Sequence, residues 1–180
     1  MSNATTTNRI GEMLTLSADR TLGLAKGLLT GVNAAEFAKQ PTADGKVVNT
    51  NHPAFIYGHL ALYPSEVMGH LGHDGSAVAC PDSWQDLFKH GATCEHDPEA
   101  SKYPPMDEIM AKFESGHAAL IEAIKSTDDE TLLKPIADEG WREFLHTNGA
   151  MAGFMVHNHV MFHLGQMSAW RRMMGLGSAM

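Results

Sequence analysis

The sequence has little of what a nucleic-acid-binding or membrane protein needs. Its 180 residues include 13 Lys and Arg against 21 Asp and Glu, a formal net charge of −8. Nucleic acids and anionic lipid surfaces attract cationic proteins, so this charge argues against both as general partners. No apolar run approaches the roughly 20 residues of a membrane-spanning helix. The polar residues 1–8 lack the charged and apolar regions of a secretory signal, so we expect none.

Cysteine is also scarce, whereas histidine and methionine are abundant. Cys80 and Cys94 form neither a CxxC motif nor a disulfide framework, and although one disulfide between them is an alternative, we expect a reduced, cytoplasmic protein. The chain has 11 His and 12 Met, and abundant histidine raises the question of a metal without answering it. Hydrophobic residues make up 43% of the chain, which predicts one globular domain over residues 1–180, with residues 1–8 as a flexible tail.

Apolar residues recur at helical spacing in four segments, and no run of residues alternates as strands do. The segments cover approximately residues 10–31, 53–72, 105–124 and 147–174. Pro53 suits a first helical turn, whereas Pro64 should kink or break the second helix because proline has no N–H to donate. The pattern predicts an all-α protein, a four-helix bundle with a long loop-rich connection between its second and third helices.

Two short extra helices are expected outside the four long segments. The connection from His73 to Pro104 is rich in Gly, Pro, Asp and His. Within it, Asp82 or Ser83 can cap a short helix that continues to Lys89. Farther along, Thr127 and Glu130 have the spacing of a capping box, which predicts a second short helix.

The fourth segment contains a pair of histidines that can share one metal ion. His159 and His163 are four residues apart, so on a helix their side chains lie one turn apart on the same face. The other residues on that face are largely apolar, so it should point inward. His157 lies on another face and is a poorer candidate.

A third ligand would have to come from another helix, and His59 in the second segment is the natural choice. Three neutral imidazoles suit zinc, nickel, iron or copper better than calcium or magnesium. Three protein ligands leave room for water or substrate, as in catalytic zinc sites. On a regular helix Tyr63 and Glu66 share the face of His59 and could assist in proton transfer.

A purely structural interpretation competes with the metal site. An i, i+4 histidine pair is common by chance, and a histidine on an apolar face is more often a hydrogen-bonded core residue. We interpret His117 in the third segment as such a core residue. The histidines at positions 52, 73, 90 and 96 fall in loops, where we expect them to be solvated.

Two stretches of the chain resemble a known family. They are residues 51–61, with the sequence NHPAFIYGHLA, and residues 154–175, which contain His159-x-x-x-His163-x-Gly165-Gln166. Together with residues 83–88 and 103–117, they resemble the DinB-like (DinB/YfiT) superfamily of metal-binding four-helix bundles. The resemblance implies that one ligand comes from the second helix and two from the fourth, which here are His59, His159 and His163.

The resemblance also implies a range of functions. The cofactor would be one divalent transition metal, with zinc or nickel favoured over iron or manganese. The activity would be that of a metal-dependent hydrolase or of an S-transferase that uses a low-molecular-weight thiol such as bacillithiol or mycothiol. From its place one turn beyond His163, Gln166 could orient a ligand or could equally form hydrogen bonds within the bundle, and Tyr63 could also orient a ligand. Related bundles often pair, so we expect a homodimer that acts on a small molecule. The alternatives are a non-catalytic metal- or small-molecule-binding protein, or a dimerising, stress-related bundle without turnover.

Overall fold

Helices form nearly all of the regular structure in residues 8–179, the part of the chain that the computed structural model describes. The expected all-α class is therefore confirmed. Of the predicted tail, residues 1–7 lie outside the described part, and the Asn8 side chain donates a hydrogen bond to the Lys125 carbonyl. The helices are α1 (Arg9–Thr15), α2 (Ala18–Gly27), α3 (Pro53–His70), α4 (Ser83–Phe88), α5 (Met106–Ser126), α6 (Asp129–Leu133), α7 (Glu139–Leu145), α8 (Asn148–Gly153) and α9 (His159–Met173).

The first predicted helix is divided. Its residues form α1 and α2, which are separated at Leu16 and Ser17. Leu16 is 81% exposed although it is apolar, so this interruption lies at the surface. The periodicity of the sequence could not reveal the break because both halves keep buried residues at helical spacing.

Helix α3 is the central helix of the fold. Every residue from Pro53 to Ala61 is buried, so this half of the helix contacts protein on all sides. The helix starts where the sequence predicted and continues past Pro64 to His70, so the proline does not break it. Pro64 packs against α5 at Gly116, where an added Cβ would come within 3.2 Å of the proline ring. Gly72, with φ +83°, follows the end of the helix.

Both predicted short helices are present, although their caps differ from the prediction. In α4, Ser83 is the first helical residue and Asp82 makes no capping hydrogen bond through its side chain. In α6, the cap is Asp128, which accepts a hydrogen bond from the Thr131 N–H at 2.7 Å. Thr127 instead donates to the Ala123 carbonyl and closes the end of α5.

Three features were not expected from the sequence. A minimal antiparallel hairpin pairs Thr42–Ala43 with Lys46–Val47. Helix α7 lies in a loop whose two ends are joined by an antiparallel bridge between Pro135 and Thr147. A π-helical turn, Phe154–Asn158, joins α8 to α9, so the fourth helical segment is continuous but not uniformly α-helical.

The hydrophobic core has two parts, and α3 and the last helical segment pass through both. One part contains Trp170, Tyr57 and Phe113, together with Val160 just after the π turn. The other contains Ile124 and Leu132, with Met155 and Val156 within the π turn and Val67 from α3. The junction between the two parts is therefore near His59 and His159. Among the described helices, none is long and apolar enough to cross a membrane.

Candidate metal centre

The three histidines that the sequence singled out meet in space. Their ring centroids form a nearly equilateral triangle, with separations of 5.0 Å for His59–His159, 4.8 Å for His59–His163 and 4.9 Å for His159–His163. One ligand nitrogen from each ring lies within 4.8 Å of the other two. The set can therefore hold a single metal ion.

The tautomer of His59 is fixed by the backbone. Its Nδ1 lies 2.6 Å from the Phe88 carbonyl oxygen, which can only accept, so Nδ1 carries the proton. Nε2 is therefore the unprotonated nitrogen, and it lies 3.1 Å from Nε2 of His159. Two nitrogens that bind one tetrahedral ion at about 2.1 Å are about 3.4 Å apart, which is close to this distance. The spacing of the two rings thus fits ligands of one metal.

The tautomer of His163 is fixed by a side chain. Its Nδ1–H donates to Oε1 of Gln166 over 3.0 Å, and the same oxygen accepts a hydrogen bond from Nδ2 of Asn51, also at 3.0 Å. Because both partners donate, the amide oxygen faces them. This arrangement leaves Nε2 of His163 unprotonated, and hydrogen bonds of this kind orient metal-binding histidines in proteins.

His159 is positioned by the π-helical turn, which ends at the residue before it. A π turn adds a residue to one helical turn and changes the direction of the side chains that follow, and such turns are frequent at functional sites. The Phe154 ring lies parallel to the His159 ring, at 11° and a centroid distance of 5.7 Å. The backbone and this aromatic contact together direct His159 towards His59.

The site favours neutral imidazoles, the form that binds metals. Burial lowers the pKa of His159 to about 3, and the neighbouring histidines add to the shift. Burial likewise lowers the pKa of His163 to about 4, helped by His59. Burial also lowers the pKa of His59. The residues therefore fit a transition metal with nitrogen ligands, and within the described chain no carboxylate belongs to the cluster.

The cluster opens into a cavity of about 900 Å³. Tyr63 lines it, with its ring centroid 5.1 Å from the rings of both His59 and His159. Burial, followed by the charge of Glu66, raises the pKa of Tyr63, while a hydrogen bond from the His90 backbone opposes the shift. Tyr63 is therefore a neutral hydroxyl beside the histidines at neutral pH.

The other candidates have different positions. Gln166 lies behind His163 and does not line the cavity. Glu66 is exposed and accepts a hydrogen bond from the indole of Trp141. His117 is only 2% exposed and bonds the Phe113 carbonyl, which confirms its interpretation as a core residue. His157 bonds the Leu14 carbonyl and lies outside the cluster.

The expectation that the loop histidines are solvated was wrong for His52. This residue is fully buried: its Nδ1 accepts from the Phe55 N–H and caps α3, and its Nε2 bonds the Glu95 carbonyl. Burial lowers its pKa to about 4. The position before Pro53 was a signal for an N-cap, but histidine is an unusual capping residue.

Several contributors to the site were missed. Asn51 and the Phe88 carbonyl hold His163 and His59, but a backbone carbonyl leaves no trace in a sequence. Trp141 and Phe144 of α7 line the cavity from a helix of seven residues, which is too short for apolar periodicity to predict. A sequence pattern identifies ligands by residue type, whereas these residues act through contacts between distant segments.

The two cysteines are free and are poorly suited to act as nucleophiles. Burial raises the pKa of both Cys80 and Cys94 to about 11, so both are thiols near neutral pH. A thiol reacts as its thiolate, which is scarce under those conditions.

Comparison with known proteins agrees with the site. The sequence profile of the DinB superfamily matches residues 13–167, which include all three clustered histidines. The chain belongs to the DinB superfamily. A search of curated proteins and a search of solved structures found no match.

Proposed function

We propose that this protein is a metal-dependent enzyme in which His59, His159 and His163 hold one divalent transition metal, most favourably zinc or nickel. The supporting observation is the arrangement of three imidazoles, two buried and that of His159 half-buried, around one point in the wall of a cavity of about 900 Å³. Three protein ligands leave positions for an exogenous molecule, and the cavity gives that molecule a route to them. Iron and manganese are the other candidates.

A bound divalent ion supplies Lewis acidity, which favours deprotonation of a coordinated water or thiol near neutral pH. Residues of the chain keep the metal-facing nitrogens of the histidines unprotonated. The Phe88 carbonyl and Gln166 hold the protons of His59 and His163 on Nδ1. Tyr63 offers a hydroxyl for hydrogen bonding to a molecule in the cavity. These features support two reaction types, hydrolysis and thiol-dependent S-transfer, both on a small molecule.

The first experiment measures metal in the native protein and in two variants. We expect about one transition-metal ion per chain, lost in His59→Ala/His163→Ala and retained in His70→Ala, which removes a histidine of the same helix outside the cluster. Failure of the native protein to contain or take up zinc, nickel or manganese at neutral pH would overturn the proposal.

A second experiment separates an enzyme from a metal-storing or structural protein. The metal-loaded protein is screened for ester or amide hydrolysis, and for S-transfer from low-molecular-weight thiols to electrophiles. Turnover that disappears with a chelator and returns with the metal supports an enzyme. A tightly bound metal that accepts no exogenous ligand would instead indicate a structural site. We also propose a homodimer, which sedimentation analysis tests directly.

A further inference from the structure

The cavity in front of the histidines has an unusually aromatic wall. Rings line it from three parts of the chain: α3, the loop helix α7, and the segment around the π turn. Phe55 of α3 lies parallel to the ring of His59, at 3° and 6.3 Å between centroids. The ring of Phe154 likewise lies nearly parallel to the ring of His159. The apolar surface therefore continues from the metal ligands outward. The aromatic lining residues besides Tyr63 are Phe55, Trp141, Phe144, Phe154 and Phe162.

Helix α7 provides one side of this wall. None of its residues is fully buried, and its partly buried Trp141 and Leu145 pack against the core. The Phe144 ring packs edge-on against Phe154 at 5.5 Å, and the Trp141 indole bonds Glu66 of α3 at 3.0 Å. Phe144 is nevertheless 64% exposed. Phe162 lines the same cavity and is 65% exposed. Two large exposed rings on one cavity form the kind of apolar patch that marks a ligand-binding surface.

The loop that carries α7 is anchored at both ends. The Ile136 N–H bonds the His146 carbonyl at 3.1 Å, and the Asn148 N–H bonds the Lys134 carbonyl at 3.0 Å. His146 adopts a φ of 64°, which is uncommon for a residue other than glycine and reverses the chain directly after the helix. The helix is therefore held over the cavity by its ends.

Polar groups in the cavity are few and carry no negative charge. None of the described residues that line the cavity is acidic, and the one lysine, Lys89, is paired with Asp86 at 3.0 Å. Besides Tyr63 and the clustered histidines, the remaining polar lining residues are Asn51, Asn158 and His90. Cavities of this size bind drug-sized molecules, with apolar walls for the body and a few polar groups for orientation.

We propose that the ligand has a metal-binding donor group at one end and an apolar body, preferably aromatic, and that Trp141 and Phe144 of α7 select that body. This inference rests on the proposed function, because the donor group requires the metal. The metal-binding group of the ligand lies beside the three Nε2 atoms of the histidines. The apolar body of the ligand lies between α7 and the rings of Phe55 and Phe154. Small polar ligands leave the aromatic wall exposed and bind weakly.

The test uses the zinc-loaded protein and a series of hydroxamates that share one metal-binding group. Acetohydroxamate is compared with hydroxamates that carry a phenyl ring on chains of one to four methylenes. Burial of a phenyl group and each methylene should tighten binding, by about tenfold or more for the ring and by about fourfold for each methylene that the cavity encloses. Titration calorimetry gives the affinities, with free zinc as the control for the donor group alone.

Variants locate the selecting surface. Phe144→Ala and Trp141→Ala should each weaken the phenyl-bearing hydroxamates by about fivefold or more and leave acetohydroxamate unchanged. Leu133→Ala is the matched control, because Leu133 is 62% exposed and does not line the cavity. If zinc binds but affinity is the same along the series in the wild-type protein, this inference is wrong and the proposed metal site stands. If zinc does not bind, the proposed function itself fails.

Discussion

The Nδ1–H of His163 donates to Oε1 of Gln166 over 3.0 Å, and this bond determines which nitrogen of His163 faces the other two histidines. Gln166 is in turn held by Asn51, from the residues just before α3. The hydrogen bonds connect the helix that carries two of the clustered histidines to the start of the helix that carries the third. Removal of such an orienting partner commonly lowers metal affinity by roughly 10- to 100-fold.

Gln166→Leu should therefore lower zinc affinity by about 10- to 100-fold, because it removes the acceptor that orients His163. Gln166→Glu keeps an acceptor oxygen and should retain most of the affinity. Competition with a chromophoric chelator measures both, and Ser168→Ala on the same helix is the control. Equal affinities for the wild type and Gln166→Leu would show that this hydrogen bond does not prepare the site.

Metal should stabilise the folded protein, because only the folded chain brings the three imidazoles together. At free zinc about 100-fold above its dissociation constant, the free energy of unfolding should rise by about 2.7 kcal/mol. Thermal unfolding with and without zinc, after treatment with a chelator, measures the effect. His163→Ala should lose it. An equal rise in that variant would mean that zinc binds elsewhere.

Acid should destabilise the metal-free protein, in part through His117. Burial lowers the pKa of this residue from 6.5 to about 4, so between these pH values the unfolded chain binds the proton and the folded chain does not. The contribution of neutral His117 to the free energy of unfolding is thus fully present above about pH 6.5 and is lost as the pH falls towards 4. The shift corresponds to about 3 kcal/mol.

Urea unfolding in the presence of a chelator, at several pH values from 7.5 to 4, tests this expectation. His117→Leu should show a smaller loss of stability on acidification than the wild type, because leucine binds no proton. His146→Asn is the control, since that side chain is exposed in the folded protein and asparagine tolerates the positive φ of this position. Parallel curves for the wild type and His117→Leu would contradict the assignment of His117.

Two glycines of α3 should respond oppositely to alanine. At Gly58, a Cβ would lie 2.4 Å from the ring of Phe88, whose carbonyl holds His59. Gly58→Ala should therefore destabilise the fold by about 1–3 kcal/mol and weaken zinc binding. At Gly69, a Cβ meets nothing within 4 Å, so Gly69→Ala should stabilise the helix by up to about 1 kcal/mol. Denaturant titration of both variants measures the pair, and a stabilising Gly58→Ala would refute the close packing against Phe88.

The sequence alone singled out the three histidines that the structure brings together, because helical spacing and residue type are both local properties. His159 and His163 are one turn apart on an inward face, and His59 lies between Pro53 and Ala61, where every residue is buried. The same reasoning placed His117 in the core. It failed for His52, where the side chain caps a helix and bonds a carbonyl 43 residues away.

The sequence by itself determined the all-α class, most helix boundaries and the three clustered histidines, because apolar periodicity dictates which face of each helix is buried. Only the tertiary structure decided which ring nitrogens face one another, since that depends on the Phe88 carbonyl, Gln166 and the π turn before His159. It alone also placed α7 over the cavity, because a helix of seven residues is too short for its apolar spacing to be distinctive and the backbone hydrogen bonds that anchor its loop leave no trace in a sequence.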